Sequence, residues 1–172
     1  MNIFFLSEDA RTAAQWHVDK HVVKMPLEAA QLLCTAHHLA ADPFVKQLTL
    51  LYKATHKNHP SAIWVRASRA NYNWAYSYFA ELAEEYTYRY GKQHASWTKL
   101  KDVLKAPPCN TPDAPFTPPP QCMPDIYKCA NTSTAYRNYY NFGKKELHAW
   151  RKREAPHWVV APFSRAPQNI LN

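Results

Sequence analysis

The sequence predicts a mainly α-helical fold, a compact bundle of helices with one long proline-rich loop. The chain has 172 residues, a length that fits one domain. It has only two glycines, and long stretches place apolar side chains at helical spacing. We therefore expect a single domain over 1–172, with the proline-rich loop at 106–124 and an extended tail at 156–172.

The first helical region is predicted from Asp9 to about Ala41, because an apolar stripe runs along it. Residues 2–6, which precede it, are expected as a short strand or an extended arm packed on the helices. Pro26 lies in the middle of this region and lacks the backbone donor that a helix uses. We therefore expect a bend at Pro26.

The middle of the chain predicts two further helices and then a loop. A polar connection over 49–60 leads into a long helix over 61–90, which Gly91 ends. A short third helix is expected over 97–105. Between 106 and 124 prolines are so frequent that neither a helix nor a central strand can persist, so this segment is expected on the surface.

The last predicted element is a long helix that runs to about Lys152. Thr132 or Ser133 is expected to cap its amino end, because hydroxyl side chains accept hydrogen bonds from the free N–H groups there. Beyond Pro156 prolines interrupt the chain, which predicts an extended tail.

The charge of the chain favours polyanionic partners. The formal net charge is +8 and the sequence pI is about 9.3. Basic residues alternate with aromatic ones instead of forming a separate tail, which is typical of nucleic-acid-binding surfaces. A basic protein with no nucleic-acid partner is the alternative.

Targeting signals and bound cofactors are not expected. The first 15 residues lack the basic start and apolar run of a signal peptide, and no segment has the ~20 apolar residues that span a bilayer. The four cysteines are expected as reduced thiols in a cytoplasmic, monomeric protein. A zinc site from Cys109, Cys122 and Cys129 is conceivable, but no CxxC pair is present.

The densest group of chemically active side chains lies on the first helix. His17, His21, Lys24 and Glu28 share one stripe beside the apolar face, and Asp19 lies on the other side of that face. An amphipathic helix with two solvated edges would show the same pattern. The spacing of His17 and His21 also suits a shared metal ion, although HxxxH alone is common.

A second cluster, YKATHKNHP, leads directly into the helix expected after Pro60. A helix amino terminus with Lys and His beside it binds phosphate well, whereas the plain alternative is a turn with capping residues. Aromatic side chains are also abundant on the second and last helices. Most are expected in the core, and a minority could stack on an extruded base.

Several blocks of the sequence resemble a family of small, mostly uncharacterised proteins of bacteriophages and related elements. These blocks are HVDKHVVKM, YKATHKNHP, EEYTYRYGK, TPPPQCMP and AYRNYYNFGKK. The chain also resembles the pyrimidine-dimer DNA glycosylases of the endonuclease V type, which flip a nucleotide and cut its glycosidic bond. That resemblance rests on a short initial stretch, a glutamine before His17, the position of Pro26, and YRNYYNFGKK.

The chain departs from the second family at the positions that carry the chemistry. That family uses the amino group exposed by removal of the initiator methionine, whereas Asn2 is too large for efficient removal, so Met1 is expected to stay. The family's glutamate falls on Lys24, and its two arginines fall on Val23 and Leu27. Its Schiff-base lyase mechanism is therefore not carried over.

The leading hypothesis is a DNA glycosylase that removes a damaged or modified base, with phage-type modified pyrimidines as substrates, in repair or in phage defence. Breaking the bond builds positive charge on the sugar, so a carboxylate and a proton donor are needed. Asp19 is expected to supply the first and His17 or His21 the second, with residues 116–123 bordering the cleft. A metal-dependent nuclease or base-modifying enzyme and a non-enzymatic binding module are the alternatives.

The hypothesis assigns three sets of residues. Candidate catalytic residues are Asp19, His17, His21 and Lys24. Candidate substrate-binding residues are Gln15, Lys20, His56, Asn58, His59, Tyr136 and Tyr140. Candidate contacts to the DNA backbone are Lys53, Lys57, Arg66, Arg69, Arg137 and Lys144.

Overall fold

Six α-helices build the fold in a computed structural model that describes residues 1–40 and 48–160. Their bounds are α1 Ala10–Gln15, α2 Asp19–Ala40, α3 Pro60–Ala67, α4 Arg69–Tyr90, α5 Ala95–Leu100 and α6 Thr132–Asn138. No β-strand occurs within these two ranges. The mainly α-helical class predicted from the sequence is confirmed.

The core lies where the two 22-residue helices, α2 and α4, pack against each other, with α1 and α3 along α4. The amino-terminal arm, residues 1–9, has no regular structure, but residues 3–6 are buried in this core. The arm is therefore the extended segment that the sequence allowed, and its apolar run is explained by burial.

The first helical region is broken, but not at the proline. α1 ends at Gln15 and α2 begins at Asp19, whereas Pro26 lies inside the assigned span of α2. The carbonyl groups of Gln15 and His17, which the break leaves without helical partners, accept hydrogen bonds of 2.9 Å from Arg89. A side chain 72 residues from His17 and 74 from Gln15 thus stabilises the break, so the local sequence does not reveal it.

The predicted long second helix is also divided, because Ser68 is extended and separates α3 from α4. The Ser68 hydroxyl caps α4 by accepting from the Asn71 N–H, and the Asn71 side chain donates to the Trp64 carbonyl at the end of α3. Gly91 ends α4 in the left-handed conformation with φ 71°, as predicted. The third helix is shorter than predicted, since α5 ends at Leu100.

The proline-rich segment 106–124 contains no helix or strand, as predicted. It lies against α3 and α4, where Thr117 accepts from the Trp64 indole and donates its backbone N–H to Asn71. Arg69 donates to the carbonyls of Thr111 and Cys109. The loop is thus hydrogen-bonded to helix side chains along its length.

The predicted last long helix is wrong. α6 is capped by Asn131 and spans only seven residues, followed by a π-helical turn, Tyr139–Gly143, and a 3-10 turn, Lys145–Leu147. Gly143 accounts for the tight turn, since a Cβ there would lie 2.5 Å from the Tyr139 ring. Of the expected tail, residues 161–172 lie outside the described part of the chain.

Candidate active site

His17, a candidate catalytic residue, is fully buried between α1 and α4. Its Nδ1 donates to the Ala13 carbonyl at 2.6 Å, and its Nε2 accepts from the Tyr78 hydroxyl at 2.7 Å. Burial, and then the nearby charge of His21, lower the pKa of His17 to about 3. His17 is therefore a neutral, fully bonded core side chain at neutral pH.

His21 lies four residues further on, in the first turn of α2 and at the edge of the core. Its ring stacks on Phe4 with a centroid distance of 4.2 Å, and its Nδ1 is hydrogen-bonded with the Tyr140 hydroxyl at 2.5 Å. Burial, and then the charges of Lys144 and Lys24, lower the pKa of His21 to about 4. The imidazole is therefore neutral at neutral pH, so it can act as a hydrogen-bonding group but not as an imidazolium acid.

His21 faces a cleft of about 190 Å³ between the amino-terminal arm, α2 and the π-helical turn. Cationic groups surround one carboxylate in it. The lining residues are Met1, Asn2, Phe4, His21, Lys24, Met25, Glu28, Tyr139 and Lys144. Of the candidate catalytic residues, the structure brings His21 and Lys24 together here.

Glu28 is the buried carboxylate of this cleft. Its Oε1 lies 3.0 Å from the Lys24 ammonium, and its Oε2 accepts from the Asn2 backbone N–H at 3.0 Å and lies 3.9 Å from the Met1 nitrogen. Lys24 occupies the preceding turn of the same helix face, so it can reach the carboxylate while most of its side chain stays in solvent. A buried carboxylate thus opens onto an otherwise cationic cleft.

The amino-terminal arm is held in place by contacts that only the folded chain makes. The Asn2 side chain donates to the Cys122 carbonyl at 2.9 Å, and its Oδ1 accepts from the Tyr136 hydroxyl at 2.8 Å. The Tyr136 hydroxyl oxygen also lies 2.8 Å from the Pro120 carbonyl oxygen and accepts from the Cys122 N–H at 3.2 Å. The proline-rich loop and α6 together fix the arm beside Glu28.

A second, wider groove of about 480 Å³ adjoins the cleft at Asn2 and Cys122. Its lining residues are His59, Pro60, Pro120, Gln121, Cys122, Met123 and Lys128. Burial, then the positive amino terminus and His56, lower the pKa of His59, whereas Glu28 raises it, so His59 is within electrostatic reach of the cleft. Residues 120–123 of the proline-rich loop therefore border the groove beside the cleft.

Asp19 has different neighbours. Its Oδ1 accepts from the Arg89 guanidinium and from the Arg151 N–H, both at 2.9 Å, and its own N–H donates to the Ala149 carbonyl. Gln15 lines a separate groove of about 320 Å³ that contains Glu81, Glu84 and Glu85. Neither Asp19 nor Gln15 lines the cleft that contains His21 and Glu28.

Two candidate substrate-binding rings are buried instead of exposed. Tyr136 and Tyr140 are both 0% exposed, and their hydroxyls hold Asn2 and His21 respectively. They therefore hold the cleft residues Asn2 and His21 in position by hydrogen bonds from the protein interior. Tyr139, the first residue of the π-helical turn, lines the cleft instead. The Lys144 ammonium lies 5.1 Å from the centre of the Tyr139 ring.

The cluster before α3 is partly exposed. His59 caps the helix by accepting from the Ser61 N–H, while four of its neighbours lie at the surface. Those neighbours are Lys53, His56, Lys57 and Asn58. The α2 residue Lys20 is also exposed. A helix amino terminus with exposed cations beside it is thus present, as the pattern suggested.

The candidate arginines make hydrogen bonds within the protein. Arg66 donates to the Lys57 carbonyl, Arg69 to loop carbonyls, and Arg137 to the Leu6 carbonyl. The Arg137 guanidinium also lies 5.0 Å from the Trp16 ring centre. Arg66 therefore holds the connection before α3, Arg69 holds the proline-rich loop, and Arg137 holds the amino-terminal arm.

Sequence reasoning did not single out Glu28, although it had placed Glu28 on the stripe of His21 and Lys24. The i, i+4 spacing of Lys24 and Glu28 was a signal for their ion pair. No local sequence pattern indicated that Met1 and Asn2 lie close to Glu28. Within the described ranges, no group of three or more His, Cys, Asp or Glu side chains could hold a metal ion.

Comparisons with known proteins find no matching family model, no matching curated protein and no matching solved structure. The fold and the cleft define the class: a mainly helical protein with one buried carboxylate in a small cationic cleft. Among the residues that the structure describes, no helix has the length and apolar character needed to cross a membrane.

Proposed function

We propose that the protein is a DNA glycosylase that excises a damaged or modified base, leaving an abasic site, and that the cleft beside Glu28 is its active site. The observation that carries the proposal is the buried Glu28 carboxylate at the wall of a cleft lined by Lys24 and Lys144. The resemblance of YRNYYNFGKK to the endonuclease V type of glycosylase supports the same reaction, because Tyr139 and Lys144 of that motif line the cleft.

Glu28 has the chemistry that breaking a glycosidic bond requires. As the base departs, positive charge builds on the sugar, and a fixed carboxylate stabilises that charge in a site from which water is partly excluded. The bond of Oε2 with the Asn2 N–H and the ion pair of Oε1 with Lys24 hold the carboxylate in one orientation. The role that the sequence assigned to Asp19 therefore passes to Glu28 in this proposal.

The cationic side chains of the cleft would bind the DNA backbone. Lys24 and Lys144 can neutralise the phosphates that flank an extruded nucleotide, and the net charge of +8 attracts the duplex from a distance. His21 stays neutral and can hydrogen-bond the base or an attacking water. As the bond between C1′ and the base nitrogen breaks, the water oxygen bonds to C1′, and the proton that this water loses ends on the departing base. We propose that the protein acts as a cytoplasmic monomer on phage-type modified or damaged bases.

The direct test measures released bases by mass spectrometry after incubation with normal, damaged and modified duplex DNA. Glu28→Gln keeps an acceptor for the Asn2 N–H but removes the charge, so base release should fall at least ~100-fold while DNA affinity is retained. Glu84→Gln, at an exposed position on α4, is the matched control and should keep full activity.

Asp19→Asn belongs in the same experiment, because it compares the two carboxylates directly. A loss smaller than ~10-fold with Asp19→Asn supports the assignment to Glu28. A larger loss with Asp19→Asn than with Glu28→Gln, at equal folding, would return the role to Asp19. DNA binding without base release from any substrate would favour the binding module, and activity that a chelator abolishes would favour a metal-dependent enzyme.

A further inference from the structure

Ile126 is the most exposed of the large apolar side chains that the structure describes, with 85% of its surface in solvent. Phe142 follows at 64%, and the next most exposed of these side chains, Val160, reaches 52%. Scattered apolar groups on a surface need no explanation, but an isoleucine that is almost fully exposed is unusual.

Local geometry explains why Ile126 points outward. It is the middle residue of the 3-10 turn Asp125–Tyr127, in which successive side chains are about 120° apart. Tyr127 turns inward and its ring packs on Tyr139 with a centroid distance of 5.2 Å. Ile126 is consequently directed away from the protein.

The 3-10 turn is attached closely to the π-helical turn that carries Phe142. The absence of a side chain at Gly143 allows this, since a Cβ there would lie 2.5 Å from the Tyr139 ring and 3.0 Å from the Tyr127 ring. The two turns form one rim, which we define as residues 125–128 and 139–144. The rim is therefore a firmly packed support for its two exposed apolar side chains.

The rim lies at the mouth of the candidate active site. Tyr139 and Lys144 line the cleft that contains Glu28, and Lys128 lines the adjoining groove. Along the chain, Ile126 directly precedes Tyr127, whose ring packs on Tyr139, and lies two residues before Lys128, which lines the groove. Lys144 places positive charge on the same rim, which complements the phosphates of a duplex, whereas Lys128 is paired with the exposed Asp125 carboxylate at 2.7 Å.

We propose that Ile126 is a wedge that enters the stacked bases of duplex DNA and fills the space left by the nucleotide extruded into the cleft, with Phe142 packing on the adjacent base. This inference rests on the proposed function, because it specifies duplex DNA as the form of the substrate. Opening a base step costs stacking and pairing energy, and proteins that open duplexes insert apolar side chains such as Ile or Phe at the step. An isoleucine exposed next to cations and a base-sized cleft meets that requirement.

The test uses a duplex oligonucleotide with a stable abasic-site analogue and 2-aminopurine as its neighbouring base. Unstacking of 2-aminopurine raises its fluorescence, so the measurement needs no catalysis. Wild-type protein should raise the signal on binding, and Ile126→Ala should lose most of that rise while the dissociation constant changes less than ~10-fold. Ile126→Met should restore the rise, because an apolar side chain of similar size is present again.

Ile63→Ala is the matched control, since Ile63 is an exposed isoleucine on α3 that lines neither the cleft nor the adjoining groove. It should behave as wild type.

An unchanged fluorescence rise with Ile126→Ala, or an equal loss with Ile63→Ala, overturns the wedge. If the rise depends on Ile126 but no base is released from any DNA, the wedge stands and the glycosylase proposal fails. If bases are released equally by wild type and Ile126→Ala with no fluorescence rise in either, the wedge alone fails.

Discussion

Arg89 donates from its buried guanidinium to Asp19 at 2.9 Å, and this pair joins the end of α4 to the start of α2. The same guanidinium donates to Glu85 at 2.6 Å, and Glu85 in turn accepts from Arg153. Charges at this position are therefore fully paired inside the protein. Asp19, although it lies in a His- and Lys-rich stretch of the sequence, therefore stabilises the packing of α2 on α4.

Arg89→Met should destabilise the protein strongly, because it leaves the buried Glu85 without its closest partner and two backbone carbonyls without donors. The free energy of unfolding in urea should fall by about 3–5 kcal/mol. Arg11→Met is the control, since Arg11 forms an exposed, solvent-screened ion pair with Glu81 and its loss should leave the free energy of unfolding nearly unchanged. Similar costs for the two variants would contradict the role of Arg89.

Stability should fall as the pH falls below about 6.5, the ordinary histidine pKa. Burial lowers the pKa of His17 to about 3 and that of His21 to about 4, so the unfolded chain binds protons that the folded chain does not. Their contribution is fully present above pH 6.5 and is lost progressively as the pH falls towards 4 and 3. Between pH 6.5 and 5.5 the two histidines should together cost about 2 kcal/mol, measured by urea unfolding.

His17→Gln isolates the contribution of one histidine. An amide can donate to the Ala13 carbonyl and accept from Tyr78, but it does not titrate. The pH dependence between 6.5 and 5.5 should be smaller by about 1 kcal/mol than in the wild type. A pH profile identical to that of the wild type would mean that His17 accepts a proton in the folded protein.

The two glycines should respond to alanine for different reasons. Gly143→Ala places a Cβ 2.5 Å from the Tyr139 ring, so it should cost about 1–3 kcal/mol of unfolding free energy and disturb the cleft wall. Gly91→Ala meets no neighbouring atom but adopts φ 71°, so it should cost about 1 kcal/mol and leave DNA binding unchanged. Intact DNA binding with Gly143→Ala, despite lower stability, would argue against a binding role for the Tyr139 wall.

DNA affinity should depend on salt through the lysines of the cleft. Lys24→Gln and Lys144→Gln should each lower the log–log slope of affinity against salt by about 0.9, measured by fluorescence anisotropy. Arg69→Gln should leave the slope unchanged and lower stability instead, because Arg69 donates to loop carbonyls. An equal change of slope with Arg69→Gln would restore the direct DNA contact that the sequence suggested for it.

Features whose causes lie within a few residues of one another can be predicted from the amino-acid sequence. The scarcity of glycine and the helical spacing of apolar side chains specified a mainly helical fold, and Gly91 specified where α4 ends. The density of prolines over 106–124 excluded regular structure there. These features follow from backbone sterics and local hydrogen bonding, which neighbouring residues decide.

Which chemically active residues lie close together depends on how the helices pack. His17 and Asp19 stand beside His21 and Lys24 in the sequence, yet His17 is buried against Tyr78 and Asp19 is paired with Arg89. Glu28 forms the candidate site because the amino-terminal arm brings Asn2 to it. The physical reason is that burial and charge pairing depend on side chains many residues apart, which meet only when the helices pack.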